Sequence, residues 1–188
     1  MRLAKAGDGL PKFERLVIKY FLVPLVRIFF TWDIVLIYLK REVSLIEKLV
    51  QKVDSEFLTK QLIIDRTFAI EDDSRRYSIN MVLEHLSITG NGVKDVIKAL
   101  SNEKEYPNPL TIEGVKPHDN KKDQLKEFLE FYKSYFEFIE NLSKNYSKAT
   151  KKHPWFCEFN NFDWSVFMFM HTFIHRRQIE AIIKSLGE

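Results

Sequence analysis

The chain has 188 residues and a hydrophobic content of 45%, which suits one domain with a sizeable core. Its 29 Lys and Arg against 26 Asp and Glu give a formal net charge of +3. Because no long basic block accompanies that small surplus, composition argues against nucleic-acid binding. The single cysteine, Cys157, excludes an internal disulfide framework, and we expect a small buried hydrophobic residue there rather than a nucleophile.

Residues 1–30 are predicted to form an N-terminal arm or short helix ahead of the main domain. The first fifteen residues are polar and lack the apolar core of a secretory signal, so we expect a cytoplasmic protein. Residues 13–39 are rich in large apolar groups, but Lys19, Arg27 and Asp33 interrupt them. A membrane span needs about 20 residues with few or no charges, so we predict no transmembrane helix.

The arm carries apolar side chains that need a covering surface. Pro24 disfavours an unbroken helix because it has no N–H to donate. We expect the arm to pack on the domain or on a second copy of the chain. Exposed apolar groups near the N-terminus favour a homodimer. A basic helix on a membrane surface, using Lys12, Arg15 and Lys19, is the alternative. The apolar residues concerned are Phe13, Leu16, Tyr20 and Phe21.

A first long helix is predicted over residues 32–53, with Thr31 or Asp33 as its N-cap. Its apolar residues recur at steps of three and four, the spacing of a bundle helix. They are Leu36, Leu39, Val43, Ile46, Val50 and Val53. Residues 54–77 contain charged clusters and are predicted to form a long connection, with a short strand or helical turn near residues 62–70.

A second helix is predicted from an N-cap at Ser78 to Leu100, and His85 lies at the edge of its apolar face. Gly90 and Gly92 weaken this helix by about 1 kcal/mol each relative to alanine. We therefore expect a kink there, or the close approach of a neighbour or substrate. Residues 101–120 contain three prolines and one glycine, which predicts a loop with His118 exposed to solvent.

A third helix is predicted over residues 119–147, and a fourth from Asn160 or Asn161 to near Gly187. Tyr132, Tyr135 and Tyr146 lie on the apolar face of the third helix. The first two are candidates to line a cavity, because a buried phenol needs a hydrogen-bond partner. His153 precedes a proline between these helices, so we interpret it as a loop residue rather than a ligand.

The fourth helix carries two histidines four residues apart. Steps of three and four from Trp164 reach Met168, His171, His175, Gln178 and Ile182, so both imidazoles share the face that is predicted to be buried. Side chains at that spacing lie about 5–6 Å apart, close enough to share a divalent ion. A metalloprotease helix needs a glutamate after the first histidine, where this chain has Thr172.

Four such apolar faces predict an all-α four-helix bundle over residues 31–188, in which metal sites are built from facing helices. His85 would join His171 and His175 to supply three nitrogen ligands with coordination positions left open, which is typical of a catalytic site. The alternative is that these are ordinary core histidines.

Two segments resemble the DinB/YfiT-like superfamily of metalloenzymes. They are YSINMVLEHLSITGNGV, residues 77–93, and HPWFCEFNNFDWSVFMFMHTFIHRRQIEAI, residues 153–182. The second is similar to the His-Pro-Trp-Phe... His-x-x-x-His-x-x-Gln-Ile signature of a subgroup without an assigned function. Tyr77 stands where the family usually has Trp, and Cys157 where the subgroup has Gly. The resemblance covers residues 31–186.

The resemblance implies a four-helix bundle and carries His85, His171 and His175 over as metal ligands, with Zn or Ni expected. It implies a small-molecule substrate attacked by a low-molecular-weight thiol or by water, with S-transferase slightly ahead of hydrolase. A non-catalytic binding or stress-response module stabilised by the metal is the alternative. Further candidates for contact with the metal shell or the substrate are Gln178, Thr89, Trp164 and Tyr132. Glu84 and Glu180 lie off the ligand faces and are not expected to act as a base.

Overall fold

The computed structural model describes residues 3–5, 10–120 and 124–187. The helices in these ranges are α1 Lys12–Val17, α2 Val23–Phe29, α3 Trp32–Val50, α4 Ile79–Ser101, α5 Gln124–Glu140 and α6 Asn161–Leu186. A short antiparallel ladder joins β1 Lys151–Lys152 to β2 Glu158–Phe159. The predicted all-α fold is therefore confirmed.

The last four helices form the bundle. α6 packs between α3 and α4, and α5 packs against the same two helices from the other side. Helices α3 and α4 thus lie diagonally opposite each other, as do α5 and α6. Fully buried apolar side chains from all four helices fill the centre, including Ile46, Leu86, Phe128 and Met168.

The N-caps follow the sequence signals. Thr31 Oγ1 accepts from the backbone N–H of Ile34, and Ser78 Oγ from that of Met81. Asn160 forms a capping box with Asp163, in which each side chain accepts from the other residue's N–H. These contacts satisfy N–H groups that have no partner inside a helix, and they fix where α3, α4 and α6 begin.

The predicted helix ends were less accurate. α3 stops at Val50 instead of residue 53, and α5 stops at Glu140 instead of 147. Residues 141–145, NLSKN, are rich in Asn and Ser, whose side chains compete for backbone hydrogen bonds. Tyr146, predicted on the buried face, is exposed. The predicted start of this helix falls partly on residues 121–123, outside the described residues.

The connection between α3 and α4 is irregular, as expected, and has no strand among its residues. A turn at Phe68 and Ala69 precedes a 3-10 helix, Asp72–Arg76. Ala69 has φ 63°, in the left-handed region, and its N–H donates to the Glu14 carboxylate of the arm at 2.8 Å. The connection therefore holds the arm.

The arm is helical through Pro24, contrary to the expected break. A π-helical turn, Ile18–Leu22, links α1 to α2, and Pro24 stands in the first turn of α2. A wider turn ahead of the proline relieves the clash between its ring and the preceding carbonyl, and the missing N–H costs little in a first turn.

The arm does pack on the bundle, but through a different face from the one predicted. Leu10 and Val26 are the buried side chains, whereas the four predicted contacts, Phe13, Leu16, Tyr20 and Phe21, are 52–73% exposed. The expectation that these four pack on the domain was wrong, because the sequence pattern gives an apolar helix without showing which side meets the bundle. The homodimer stays a prediction.

No single helix in the described ranges combines the length and apolar character of a membrane span. Lys12–Phe29 and Trp32–Val50 meet those criteria only as a pair, with a bend of 112° between them.

The two glycines of α4 differ in their surroundings. A Cβ at Gly90 would lie 2.3 Å from the Phe131 ring and 2.7 Å from the Met168 methyl group, whereas a Cβ at Gly92 would meet nothing within 4 Å. Helix α4 continues through both. The expected close approach therefore occurs at Gly90, and it comes from α5 and α6.

Replacing Gly90 by alanine is expected to destabilise the protein by about 1–2 kcal/mol, because overpacking exceeds the gain in helix propensity. Gly92→Ala, in the same helix and two residues away, should stabilise it by up to about 1 kcal/mol, since only helix propensity changes. Urea unfolding of both variants measures the free energies, and equal effects of the two substitutions would contradict the packing seen at Gly90.

Candidate metal site

Three imidazoles meet between α4 and α6. The Nε2 atom of His171 lies 3.1 Å from Nε2 of His85 and 3.1 Å from Nε2 of His175. One ligand atom from each ring lies within 4.8 Å of the other two. Tetrahedral coordination at about 2.0–2.1 Å would separate nitrogen ligands by about 3.3–3.4 Å, so small movements would place all three around one ion. The cluster can hold a metal ion.

His85 is oriented by the loop that follows α4. Its Nδ1 lies 2.6 Å from the Val115 carbonyl oxygen, and because a carbonyl can only accept, Nδ1 carries the proton. Nε2 then has a free lone pair directed toward the other two rings. A metal-binding histidine commonly donates its second ring N–H to such an acceptor, which fixes the tautomer.

His175 is oriented through Gln178. The Gln178 amide nitrogen donates to the Ser74 carbonyl at 2.7 Å, which turns its oxygen toward His175 Nδ1 at 2.6 Å. Nδ1 must therefore be the donor, and Nε2 keeps its lone pair. Gln178 is fully buried. The residue proposed from sequence as a neighbour of the metal shell thus holds one of the three rings in place.

His171 differs from the other two. Its Nδ1 has no hydrogen-bond partner among the described residues, and its ring stacks on Phe167 with centroids 5.1 Å apart. Its Nε2 faces the lone pairs of His85 Nε2 and His175 Nε2, and a single N–H there could donate to only one of them. A cation shared by the three Nε2 atoms would accept all three lone pairs.

Burial keeps this cluster uncharged. Burial lowers the pKa of His85 to about 4, with the nearby Lys116 ammonium adding to the effect. Burial also holds the pKa values of His171 and His175 well below the ordinary range, and repulsion from a protonated neighbouring imidazole lowers them further. Neutral imidazole is the form that binds metal. At pH 7 all three rings are therefore ready to coordinate a cation without first losing a proton.

The histidines line a cavity of about 530 Å³, within the range of small-molecule sites. The arm supplies one wall, through Leu22 and Val26 among others, and α4 and α6 supply the walls beside the histidines. The loop from Pro109 to Lys116 also contributes. The arrangement combines a potential metal site with space for a guest molecule.

The other candidates from the sequence are distributed differently. Thr89 and Trp164 are buried and line the cavity, and neither Thr89 Oγ1 nor Trp164 Nε1 has a hydrogen-bond partner among the described residues. Tyr132 does not line it: its hydroxyl lies 2.7 Å from Thr172 Oγ1 in the bundle core. Tyr135 is buried too and is also absent from the cavity wall.

The two remaining histidines and Cys157 lie outside the three-histidine cluster. His118 is exposed, as expected, and His153 lies outside the three-histidine cluster, between β1 and β2. His153 is nevertheless buried and lines the cavity, packed between Phe156 and Phe167. Cys157, expected to be buried, is half-buried because it lies in the turn between the two strands.

The two glutamates near the ligands have structural partners. Glu84 accepts from the backbone N–H groups of His118 and Asp119, which fastens the loop that carries Val115. Glu180 pairs with Arg176 on α6. Both carboxylates therefore have partners outside the histidine cluster, and the expectation that neither acts as a base stays a prediction.

Acidification is expected to destabilise the protein through His153. Burial lowers its pKa to about 3, against about 6.5 for the exposed side chain. Between these values the unfolded chain binds more protons, so the stability present above pH 6.5 falls as the pH drops. Between pH 8 and pH 5, the protonation of His153 in the unfolded chain should lower the free energy of unfolding by about 2 kcal/mol. Urea unfolding at the two pH values measures that free energy.

His153→Phe keeps a ring in the aromatic cluster and should reduce the pH dependence by about that amount. His118→Gln, which removes an exposed histidine, is the matched control and should leave it unchanged. The same pH dependence in His153→Phe and wild type would contradict the burial of a neutral imidazole at this position.

Several functional contacts could not be predicted from the sequence. The carbonyls of Val115 and Ser74 orient two ligands, yet every residue has a carbonyl, so no side-chain pattern identifies them. The inward position of His153 also went unrecognised, although the aromatic residues around it, Trp155, Phe156 and Phe159, were a usable signal.

No protein-family model and no curated protein matches this sequence. Among solved structures, the chain is similar to TT2238, described as a four-helix bundle protein, with 22% identity and a TM-score of 0.55. The match covers 80% of this chain and 99% of TT2238. At that identity the likeness shows the fold, a four-helix bundle, while the DinB/YfiT-like resemblance stays a prediction.

Proposed function

We propose that this protein is a metal-dependent enzyme of the DinB/YfiT-like type, in which His85, His171 and His175 hold a Zn or Ni ion. The observation that carries the proposal is the convergence of three Nε2 atoms, two of them with their lone pairs fixed by Val115 and Gln178. The adjoining cavity supports catalysis over a purely structural metal.

The proposed reaction is attack on a small electrophilic substrate. Held by His85, His171 and His175, a divalent ion with an open coordination position would lower the pKa of a coordinated thiol or water and so supply a nucleophile near neutral pH. In the overall reaction the sulfur or oxygen would bond to the electrophilic atom, the leaving group would depart with its electron pair, and the proton of the thiol or water would pass to solvent. S-transfer is placed ahead of hydrolysis through the family resemblance. A cytoplasmic location stays a prediction.

The protein's residues supply position and environment. Val115 and Gln178 hold the imidazoles of His85 and His175, and the arm forms part of the apolar cavity wall. An apolar wall strengthens electrostatic interactions beside it, because fewer polar groups screen them. The alternative, a metal-stabilised binding module, needs the same ligands and no turnover.

Removal of the metal by a chelator distinguishes the metal-dependent enzyme from the metal-stabilised binding module. Purified protein loaded with Zn or Ni is assayed with 1-chloro-2,4-dinitrobenzene plus 2-mercaptoethanol, and with 4-nitrophenyl butyrate, before and after metal removal. We expect chelation to abolish turnover and to lower the melting temperature only by the few degrees that correspond to the loss of a bound ligand. A collapse of the melting temperature on chelation, without turnover of either substrate by the loaded protein, would favour the structural role.

A further inference from the structure

The charged groups of the cavity wall neutralise one another. Arg27 donates to both carboxylate oxygens of Asp163, each at 2.7 Å. Lys116 pairs with Glu71 and lies 3.2 Å from a carboxylate oxygen of Asp73. The charged residues among the described lining are Arg27, Glu71, Lys116 and Asp163. The positive charge of both cations of the described wall is therefore neutralised by carboxylates, which weakens their attraction for an anionic ligand.

Most uncharged polar side chains of the wall are also engaged. Thr111 Oγ1 accepts from the Gly114 N–H at 3.1 Å, and His153 Nδ1 from the Trp155 N–H at 3.2 Å. Ser74 Oγ lies within reach of the Lys116 ammonium. The polar groups left for a guest are the Nε2 atoms of the three-histidine cluster and two uncharged groups without a partner among the described residues, Thr89 Oγ1 and Trp164 Nε1.

The rest of the wall is apolar and comes from several elements. The arm gives Leu22 and Val26, α4 gives Val93 and Val96, and α6 gives Phe167 and Met170. Burial of apolar surface against such a wall is favourable in proportion to the area removed from water. The cavity therefore favours a guest that is apolar over most of its surface.

From these observations, and resting on the metal-dependent reaction proposed above, we infer that the substrate is an uncharged, mainly apolar electrophile. Its polar reacting group would meet the histidine cluster, and its apolar part would fill the space between arm, α4 and α6. Away from the metal position, a phosphate or carboxylate group in this cavity would lose its hydration and meet only cations that carboxylates already neutralise, which is costly. Substrates with an anionic group on the part remote from the reacting centre are thereby disfavoured.

Two dyes with one ring skeleton test the inference. N-phenyl-1-naphthylamine is uncharged, and 8-anilinonaphthalene-1-sulfonate is the same molecule with a sulfonate. Fluorescence titration of the full chain should show the uncharged dye binding at least about tenfold more tightly, because the sulfonate is buried unpaired. The protein's net charge of +3 attracts the sulfonate dye at long range, so a preference for the uncharged dye must arise inside the cavity. Tighter binding of the sulfonate would overturn the inference.

Two variants locate the dye and test the charge argument. Gly92 lines the cavity in open space, so Gly92→Phe should reduce affinity for the uncharged dye by about tenfold, by filling the volume the dye needs. Glu71→Gln removes one carboxylate from Lys116 and should raise affinity for the sulfonate only. Melting curves check that both variants fold. Uncharged-dye binding unchanged in Gly92→Phe would place the dye elsewhere and overturn the inference.

Neither dye requires a metal or turnover, so this test is separate from that of the proposed function. Metal-free wild type and His171→Ala should keep the preference for the uncharged dye. If the protein binds no metal but retains this preference, the proposed reaction fails and the apolar cavity stands. If it turns over a substrate with the metal bound but prefers the sulfonate, the substrate class fails alone.

Discussion

His171→Ala is expected to purify without stoichiometric divalent metal, with affinity for Zn lowered by more than about 100-fold. Loss of a residue that merely supports a ligand typically costs 10–100-fold, and His171 is the ring whose Nε2 lies 3.1 Å from both other nitrogens. Two remaining imidazoles cannot complete the site. Elemental analysis after dialysis and a competition titration with a Zn indicator provide the measurements.

Matched variants make this result specific. His118→Ala removes an exposed histidine and should keep full metal content. Gln178→Leu leaves all three ligands but removes the acceptor for His175 Nδ1, so we expect an intermediate loss of about 10–100-fold. Full metal retention in His171→Ala would contradict the site, and wild-type affinity in Gln178→Leu would contradict the orienting role of the amide.

The metal should also stabilise wild type but not His171→Ala. A ligand that binds only the folded state at 100 times its dissociation constant adds about 2.7 kcal/mol. Addition of Zn to metal-free protein should therefore raise the melting temperature of wild type alone. Stabilisation of this size is compatible with catalysis, because the hydrophobic core of the bundle is complete without the ion.

Asp163→Ala is expected to destabilise the protein by about 2–4 kcal/mol and to loosen the arm. The carboxylate is nearly fully buried, accepts two charge-assisted hydrogen bonds from Arg27 and completes the capping box of α6. Such hydrogen bonds contribute about 1.5–3 kcal/mol each and a cap about 1 kcal/mol. Because Arg27 is 46% exposed, water can solvate it after the substitution, which limits the loss.

Urea unfolding measures this loss, and hydrogen exchange of residues 12–29 reports whether the arm is released. Lys40→Ala is the matched control: it breaks the ion pair with Glu140, in which both side chains are more than 40% exposed, so a loss of at most about 1 kcal/mol is expected. Equal losses in the two variants, or unchanged exchange of the arm in Asp163→Ala, would contradict its role as the arm's anchor.

Release of the arm would affect the cavity directly. Leu22, Val23 and Val26 form part of the apolar wall, and Arg27 pairs with Asp163 beside them. The ion pair between Arg27 and Asp163 therefore joins the start of α6 to the arm residues of the cavity wall. The wall of the candidate site therefore includes residues outside 31–188, because the arm, assigned outside the bundle from the sequence, lines the cavity.

Local rules explain which parts of the fold were predictable. The start of α6 is set within four residues by Asn160 and Asp163, and the helical period places His171 and His175 on one side whatever surrounds them. The end of α5 was missed because apolar spacing continues to Tyr146, while the helix stops where Asn and Ser compete for backbone hydrogen bonds.

The sequence by itself determined the four long helices, the pairing of two histidines on α6 and a third inward histidine on α4, because helical periodicity and capping act over a few residues. Only the tertiary structure decided that His85 reaches His171, that the Val115 and Ser74 carbonyls fix the ring orientations, and which face of the arm is buried. Those features depend on how distant segments pack. Packing is settled by the combined burial of many side chains, so no short pattern in the chain records it.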